Sequence, residues 1–377
     1  MKFLMLVLPG VTMIAVTYGL ARFSFGLLLP EVNKSLEMTE LVSGIISSLF
    51  YLAYCFTIIL STVITTKEGP RRMIISAGLS AFVGLLLISI ATNVWVLALG
   101  VLFAGGSTGL VSPPYGAAIS LWIKEHKQGK ANTWINSGTS FGIALSGVGA
   151  SFLTSDWRLT YFIYAILTLL IVIWNFQAIP KAGTKPPKLR LKKGNLSIRG
   201  VKGSNPLILA SLTLGFSTAA FWTFSRSFIE VSGNYSDWQL SGFWIVIGLF
   251  GVLGGFSGSL VERKGLPFVY KLGGMSIASS SIILSITSGN WFMSYISAGI
   301  FGCAYIFLTG VLLVWGIRVF FTNASLGIGV PFLLLAVGQV IGSIFAGWFI
   351  GAWGYVTTFI IYGLVGMAAI LMGPKKE

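Results

Sequence analysis

The sequence predicts an all-α integral membrane protein of twelve membrane-spanning helices, and three observations predict it. Hydrophobic residues fill 55% of the 377 positions and charged residues only 9%, whereas a soluble domain carries roughly 25% charged residues. The apolar residues gather into runs close to the 20 or so that a helix needs to cross a bilayer core. Lysine and arginine then alternate in density from one inter-run loop to the next, as the positive-inside rule describes. Glycine is also abundant, at 47 residues, as in membrane helices whose backbones pack closely.

The runs follow in order. The first, 4–30, succeeds Lys2; it is too long for a secretory signal and no small-residue cleavage site follows, so it reads as a retained helix. Runs 41–64 and 73–91 flank Lys67, Arg71 and Arg72, and runs 95–121 and 132–154 flank Lys124, Lys127 and Lys130. Run 159–178 closes the first set. From Pro180 to Asn205 the chain is polar, with Pro186, Pro187 and eight basic residues. That stretch has too few apolar residues to fold alone and reads as a cytoplasmic linker. The second set comprises 206–230, 241–261, 267–288, 291–316, 324–349 and 355–372. Residues 1–179 and 206–377 thus form two six-helix halves around the linker 180–205.

A repeat with one offset supports this division. Ser43-Gly44 matches Ser241-Gly242, Gly69 matches Gly265, and Phe162-Ile163 matches Phe359-Ile360, at offsets of 198, 196 and 197. With a cytoplasmic N-terminus, only Lys34 and Arg158 among the basic residues face outside, and only Arg22 and Arg226 lie within helices. The net charge of +15 is therefore topological and points to no nucleic-acid partner. Trp95, Trp157 and Trp291 fall where interfacial aromatic belts are expected. Cys55 and Cys303 sit in apolar runs with no metal spacing and no disulfide framework. No cofactor or metal is expected.

The segment Gly258-Ser-Leu-Val-Glu262-Arg263-Lys-Gly265 resembles the signature loop of the major facilitator superfamily, Gly-x-Leu-Ala-Asp-Arg-x-Gly. That superfamily carries the loop between helices two and three and again between helices eight and nine. The first-half copy here has Thr62 for the first Gly and Thr66 for the Asp, but keeps Gly69, Arg71 and Arg72. Gln128-Gly-Lys-Ala131 and Asp156-Trp-Arg158 are similar to other loops of the superfamily. Tyr18-Gly-Leu-Ala-Arg22-Phe and Leu29-Pro30 are similar to its YbfB/YjiJ-type bacterial branch.

The resemblance implies two pseudo-symmetric bundles working by alternating access, as a monomer in a bacterial plasma membrane with both termini cytoplasmic. It implies gating roles for Gly69, Arg71, Arg72, Gly258, Glu262, Arg263 and Gly265. A site near the bilayer midplane also follows from repeats related by an axis along the membrane normal.

Charges inside the spans carry the functional reading, because an arginine at a helix centre costs about 2.5–3.5 kcal/mol on insertion scales. Arg22 lies eight residues before Pro30, about 12 Å at 1.5 Å per residue, too far to snorkel outward easily. Arg226 is nearer its helix end. Tyr18 precedes Arg22 by one turn and Trp222 precedes Arg226 by one turn, while Glu230 follows Arg226 at i,i+4. A guanidinium fork matches a carboxylate or phosphate. Arg22, Tyr18, Arg226 and Trp222 are thus expected to bind a small organic anion, with Glu230 as a coupling group. The paired arginines are similar in placement to those of organophosphate–phosphate antiporters.

Tyr115 after Pro113-Pro114, Asn136 and Gln339 are further substrate-binding candidates, the prolines freeing backbone carbonyls. Each arginine has a plainer reading as a brace for helix carbonyls, and each polar residue as a link between helices. The Gly138, Gly142, Gly147, Gly149 series reads as helix packing. No carboxylate lies deep in a span, which disfavours cationic substrates, and His126 falls in a loop. An enzyme lacks its acid–base or metal groups here. Efflux of neutral hydrophobic compounds and a non-transporting receptor remain the alternatives.

Overall fold

The computed structural model describes residues 3–153, 156–180, 201, 203–321 and 324–374. Most of the linker 180–205 therefore lies outside the described residues. Every regular element among the described residues is helical. Backbone contacts divide the chain into two compact units, Met1–Met38 with Leu49–Arg190, and Thr39–Ser48 with Leu191–Glu377.

The first helices are α1 (Phe3–Leu36), α2 (Glu40–Glu68), α3 (Pro70–Ser89), α4 (Val94–Trp122), α5 (Glu125–Leu153) and α6 (Trp157–Ala178). They are followed by α7 (Ser204–Ser232), α8 (Asp237–Lys264), α9 (Leu266–Thr287) and α10 (Trp291–Val319). The last helical run, Ala324–Leu371, is broken at Gly354 (φ 78°, ψ 173°). It supplies α11 (324–353) and α12 (355–371).

Ten stretches among the described residues are long and apolar enough to span a membrane. The Gly354 break makes two of the last one. The twelfth helix, α5, is 29 residues long but less apolar, since Asn132, Thr133, Asn136, Ser137, Thr139, Ser140 and Ser146 interrupt it. The protein is a multi-pass membrane protein.

Helix ends are built locally. Asn93 and Asn290 each cap a helix with the side-chain oxygen, Asn93 accepting from the amides of Trp95 and Val96 and Asn290 from those of Phe292 and Met293. Such caps satisfy amides that the first helical turn leaves open. Gly69 and Gly265 precede α3 and α9 in nearly the same conformation, φ 80°, ψ 162° and φ 82°, ψ 150°. Only glycine adopts that backbone without strain, and a proline follows each within the first helical turn.

The repeat extends into the packing of each unit. Gly19 of α1 crosses Gly142 of α5, and Gly215 of α7 crosses Gly338 of α11, so closely that a Cβ on either would overlap backbone. Gly105 of α4 abuts Phe50 of α2, and Gly302 of α10 abuts Ile247 of α8. The Tyr164 hydroxyl donates to the Ser146 carbonyl, and the Tyr362 hydroxyl to that of Gly342. These pairs, with Asn93 and Asn290, are separated by 196 to 198 residues. Small residues at such crossings let helix backbones approach, which is how membrane helices gain packing energy without a hydrophobic drive.

Two helices depart from regular α geometry. α8 tightens to a 3-10 turn over Val252–Phe256, where Gly254 lies against the α10 backbone at Cys303 and Phe307. α1 widens to a π-helix over Ala15–Phe23. Of the expected interfacial tryptophans, Trp95 is 85% and Trp291 48% exposed, but Trp157 is 4% exposed. Trp157 turns inward against Tyr161, with the Arg158 guanidinium 4.2 Å above its ring.

Candidate functional site

Arg22 and Tyr18 both lie on the π-helical segment of α1. A π turn shifts side chains off the α-helical face and is found mostly at functional positions. The segment is held from outside: Gly19 lies on the backbone of Gly142, and Gly142 on that of Ala15. Gly138 and Gly142 of α5 are thus spent on α1 of the same unit, and Gly149 on Tyr164 of α6.

Arg22 is buried at 6% exposure within a cage of four rings. Its guanidinium carbon lies 4.5 Å from the Tyr51 centroid, 5.2 Å from Phe23, 5.3 Å from Tyr54 and 6.0 Å from Tyr18. A cation over aromatic faces in a desolvated setting gains about 2 kcal/mol per good contact. Tyr51 and Tyr54 come from α2 and are themselves buried. The Tyr18 hydroxyl bonds the Thr108 carbonyl at 3.2 Å and Ser112 Oγ at 3.0 Å, tying the ring to α4.

In the second unit Arg226 is buried and ion-paired with Glu230, whose side chain is 42% exposed. Trp222, one turn earlier, packs edge-on against Trp244, Phe301 and Tyr305. Gln339 donates to the Tyr305 hydroxyl at 3.2 Å and is 1% exposed. Near them Leu214, Thr218, Tyr305, Leu308, Leu312 and Leu335, among others, line a narrow crevice of about 10 Å³, room for about one water. Counting from the equivalent crossings at Gly19 and Gly215, Arg22 corresponds to Thr218. Arg226 lies eight residues further along α7, about 12 Å.

The remaining candidates separate from Arg22. The Tyr115 hydroxyl donates to Asn175 Oδ1 at 2.6 Å and approaches the Pro9 carbonyl at 3.4 Å, while Asn175 donates to the same carbonyl at 3.1 Å. The Leu110 carbonyl, which Pro114 leaves without its helical donor, accepts from Ser61 Oγ at 2.9 Å. Asn136 is exposed and bonds Asn132 one turn away. Arg71 donates to the Phe176 carbonyl at 2.6 Å and lies over its ring, and Arg72 pairs with Glu68 across the Gly69 turn. Gly258, Glu262 and Arg263 are on an open surface. His126 is exposed on the first turn of α5.

Sequence reasoning missed Tyr51, Tyr54 and Asn175. The i,i+3 spacing of the two tyrosines marks a shared helix face, but nothing local says that the face meets Arg22.

Comparison with known proteins places these features in context. The Major Facilitator Superfamily model matches residues 11–330. The chain is 22% identical over 386 residues to the membrane sensor protein UhpC of Salmonella typhimurium, covering 94% of this chain and 87% of that one. It is 28% identical over 148 residues to monocarboxylate transporter 13 of Rattus norvegicus, covering 39% of this chain and 32% of that protein, so it spans about a third of that relative. Among solved structures, a mutant of the nucleoside transporter NupG superposes with a TM-score of 0.75 at 14% identity, over 97% of this chain and 98% of that one. A mutant of the peptide transporter POT gives 0.77 at 16% identity, over 97% and 92%.

Proposed function

Because the chain belongs to the Major Facilitator Superfamily, a class of membrane transporters, we propose that it moves a small organic anion by alternating access, with Arg22 as the anion-binding residue. The observation that carries this reading is a buried arginine, ringed by aromatics, on a π-helical stretch of an apolar helix. A charge at that depth is costly and is kept for a task. Tyr18 lines the same site. Arg226, Trp222 and Gln339 are the candidates of the second unit, whereas the Tyr115 hydroxyl, spent on Asn175, and Asn136, bonded to Asn132, are helix contacts.

Glu230 couples proton to solute, since its protonation breaks the pair with Arg226. Gly69, Arg71, Arg72, Gly258, Glu262, Arg263 and Gly265 form the cytoplasmic gate. The halves 1–179 and 206–377 are the moving bodies, joined by 180–205. The protein works as a monomer in a bacterial plasma membrane with both termini cytoplasmic, within the YbfB/YjiJ-type branch.

A thermal-shift screen of the purified protein against organic phosphates, carboxylates, neutral amphiphiles and cations, repeated with Arg22→Ala, tests the reading. Stabilisation by one anion class that disappears in the variant is the expected result. Stabilisation by neutral or cationic compounds alone, retained in Arg22→Ala, rejects it in favour of efflux of apolar solutes. The near full-length likeness to a membrane sensor favours one second reading, ligand binding without flux. Counterflow in proteoliposomes separates the two, because a sensor binds the anion and exchanges none.

A further inference from the structure

We infer that the Arg22 site selects a planar carboxylate over a tetrahedral phosphate or phosphonate, and that Tyr51 and Tyr54 impose the selection. The inference rests on the anion reading above and narrows it. Tyr51, Phe23, Tyr54 and Tyr18 surround the guanidinium carbon at 4.5 to 6.0 Å. Their faces carry the negative lobe of the aromatic quadrupole, which attracts the cation and repels anionic oxygen.

An anion that binds Arg22 must therefore approach it between these rings. A carboxylate places both oxygens in the plane of the guanidinium fork, and both are used in two parallel hydrogen bonds. A phosphonate or phosphate group brings a third oxygen out of that plane and, at neutral pH, up to a second negative charge. Here that oxygen meets ring faces, and a buried anionic oxygen facing apolar surface is strongly unfavourable.

Phosphate sites elsewhere recruit helix N-termini, backbone amide nests or several cations. Neither helix that builds this cage brings a second cation to its depth: the other basic residues of α1 and α2 are Lys34 and Lys67, both exposed near helix ends. The cage is also set in advance. Tyr51 and Tyr54 are 4% and 6% exposed, the Tyr18 hydroxyl is tied to α4, and Gly19 seats the π segment on Gly142. A rigid wall discriminates shape where a mobile one would adapt. Tyr51 and Tyr54 face the anion's oxygens and set specificity, while Arg22 holds the charge.

The test uses full-length purified protein and acid pairs that share a carbon skeleton, benzoate with phenylphosphonate and butyrate with propylphosphonate, titrated at pH 7.5 by calorimetry. The carboxylate of a pair is expected to bind at least about tenfold more tightly. Tyr51→Phe keeps that ratio, and Tyr51→Leu narrows it to about threefold or less, with the phosphonate gaining. Equal or tighter phosphonate binding overturns the inference and leaves the anion reading standing. An unchanged ratio in a well-folded Tyr51→Leu, or in Tyr54→Leu where Tyr51→Leu does not fold, also overturns it. Binding of neither acid by wild type or Arg22→Ala removes both readings together.

Discussion

Replacing Arg22 by lysine keeps the charge and removes the fork, so it isolates what the guanidinium shape contributes. Arg22 is 6% exposed and lies over four rings within 6.0 Å. A lysine ammonium can take up cation–π contacts of similar strength, so fold stability should change little. Binding should change much more. Two charge-assisted hydrogen bonds to one carboxylate become a single point contact, and one such bond is worth roughly 1.5–3 kcal/mol. At 1.4 kcal/mol per decade, affinity for a carboxylate falls about tenfold to a hundredfold. Calorimetric titration of detergent-purified protein with the carboxylates above gives Kd, and the melting temperature without ligand controls for folding. Equal affinity in both proteins at equal stability would refute the bidentate role and leave Arg22 a brace for its helix.

Three further outcomes follow from other contacts. Gly142→Leu forces α5 off the Ala15 backbone and should destabilise by about 1–3 kcal/mol, visible as a lowered melting temperature; Gly116→Leu, whose Cβ meets nothing within 4 Å, should be silent. Asn175→Leu removes the 2.6 Å bond from Tyr115 and a donor to the Pro9 carbonyl, at a cost of about 1–3 kcal/mol, with anion affinity unchanged because Arg22 keeps its rings. Glu230→Gln should abolish pH-driven accumulation in proteoliposomes while sparing exchange; accumulation that persists at the wild-type rate removes Glu230 as the coupling group.

Much of the fold was legible because membrane helices announce themselves by composition. Each apolar run falls inside or within a residue or two of a helix, and the basic loops mark the turns. Even α5, with its many Asn, Ser and Thr residues, still showed as the apolar run 132–154. The site was legible only in part. An arginine in an apolar helix is conspicuous, yet a π turn arises from main-chain pairing and leaves no mark in residue type. Tyr51 and Tyr54 were present as an i,i+3 pair, but their meeting with Arg22 depends on how α1 and α2 rotate against each other.

The repeat shows most clearly where local reading stops. Arg22 and Arg226 look like mates because each sits in the opening helix of its half with an aromatic one turn before. The glycine crossings set the true register, since Gly19 on Gly142 and Gly215 on Gly338 are fixed by backbone contact. In that register the counterpart of Arg22 is Thr218, which faces a leucine-walled crevice. Arg226 falls two turns later, beside its own carboxylate. The two units therefore share a pattern of packing and differ in charge. Among the described residues the cationic anchor at that register belongs to the first unit, so a ligand anchored there is expected to lose most of its affinity with Arg22.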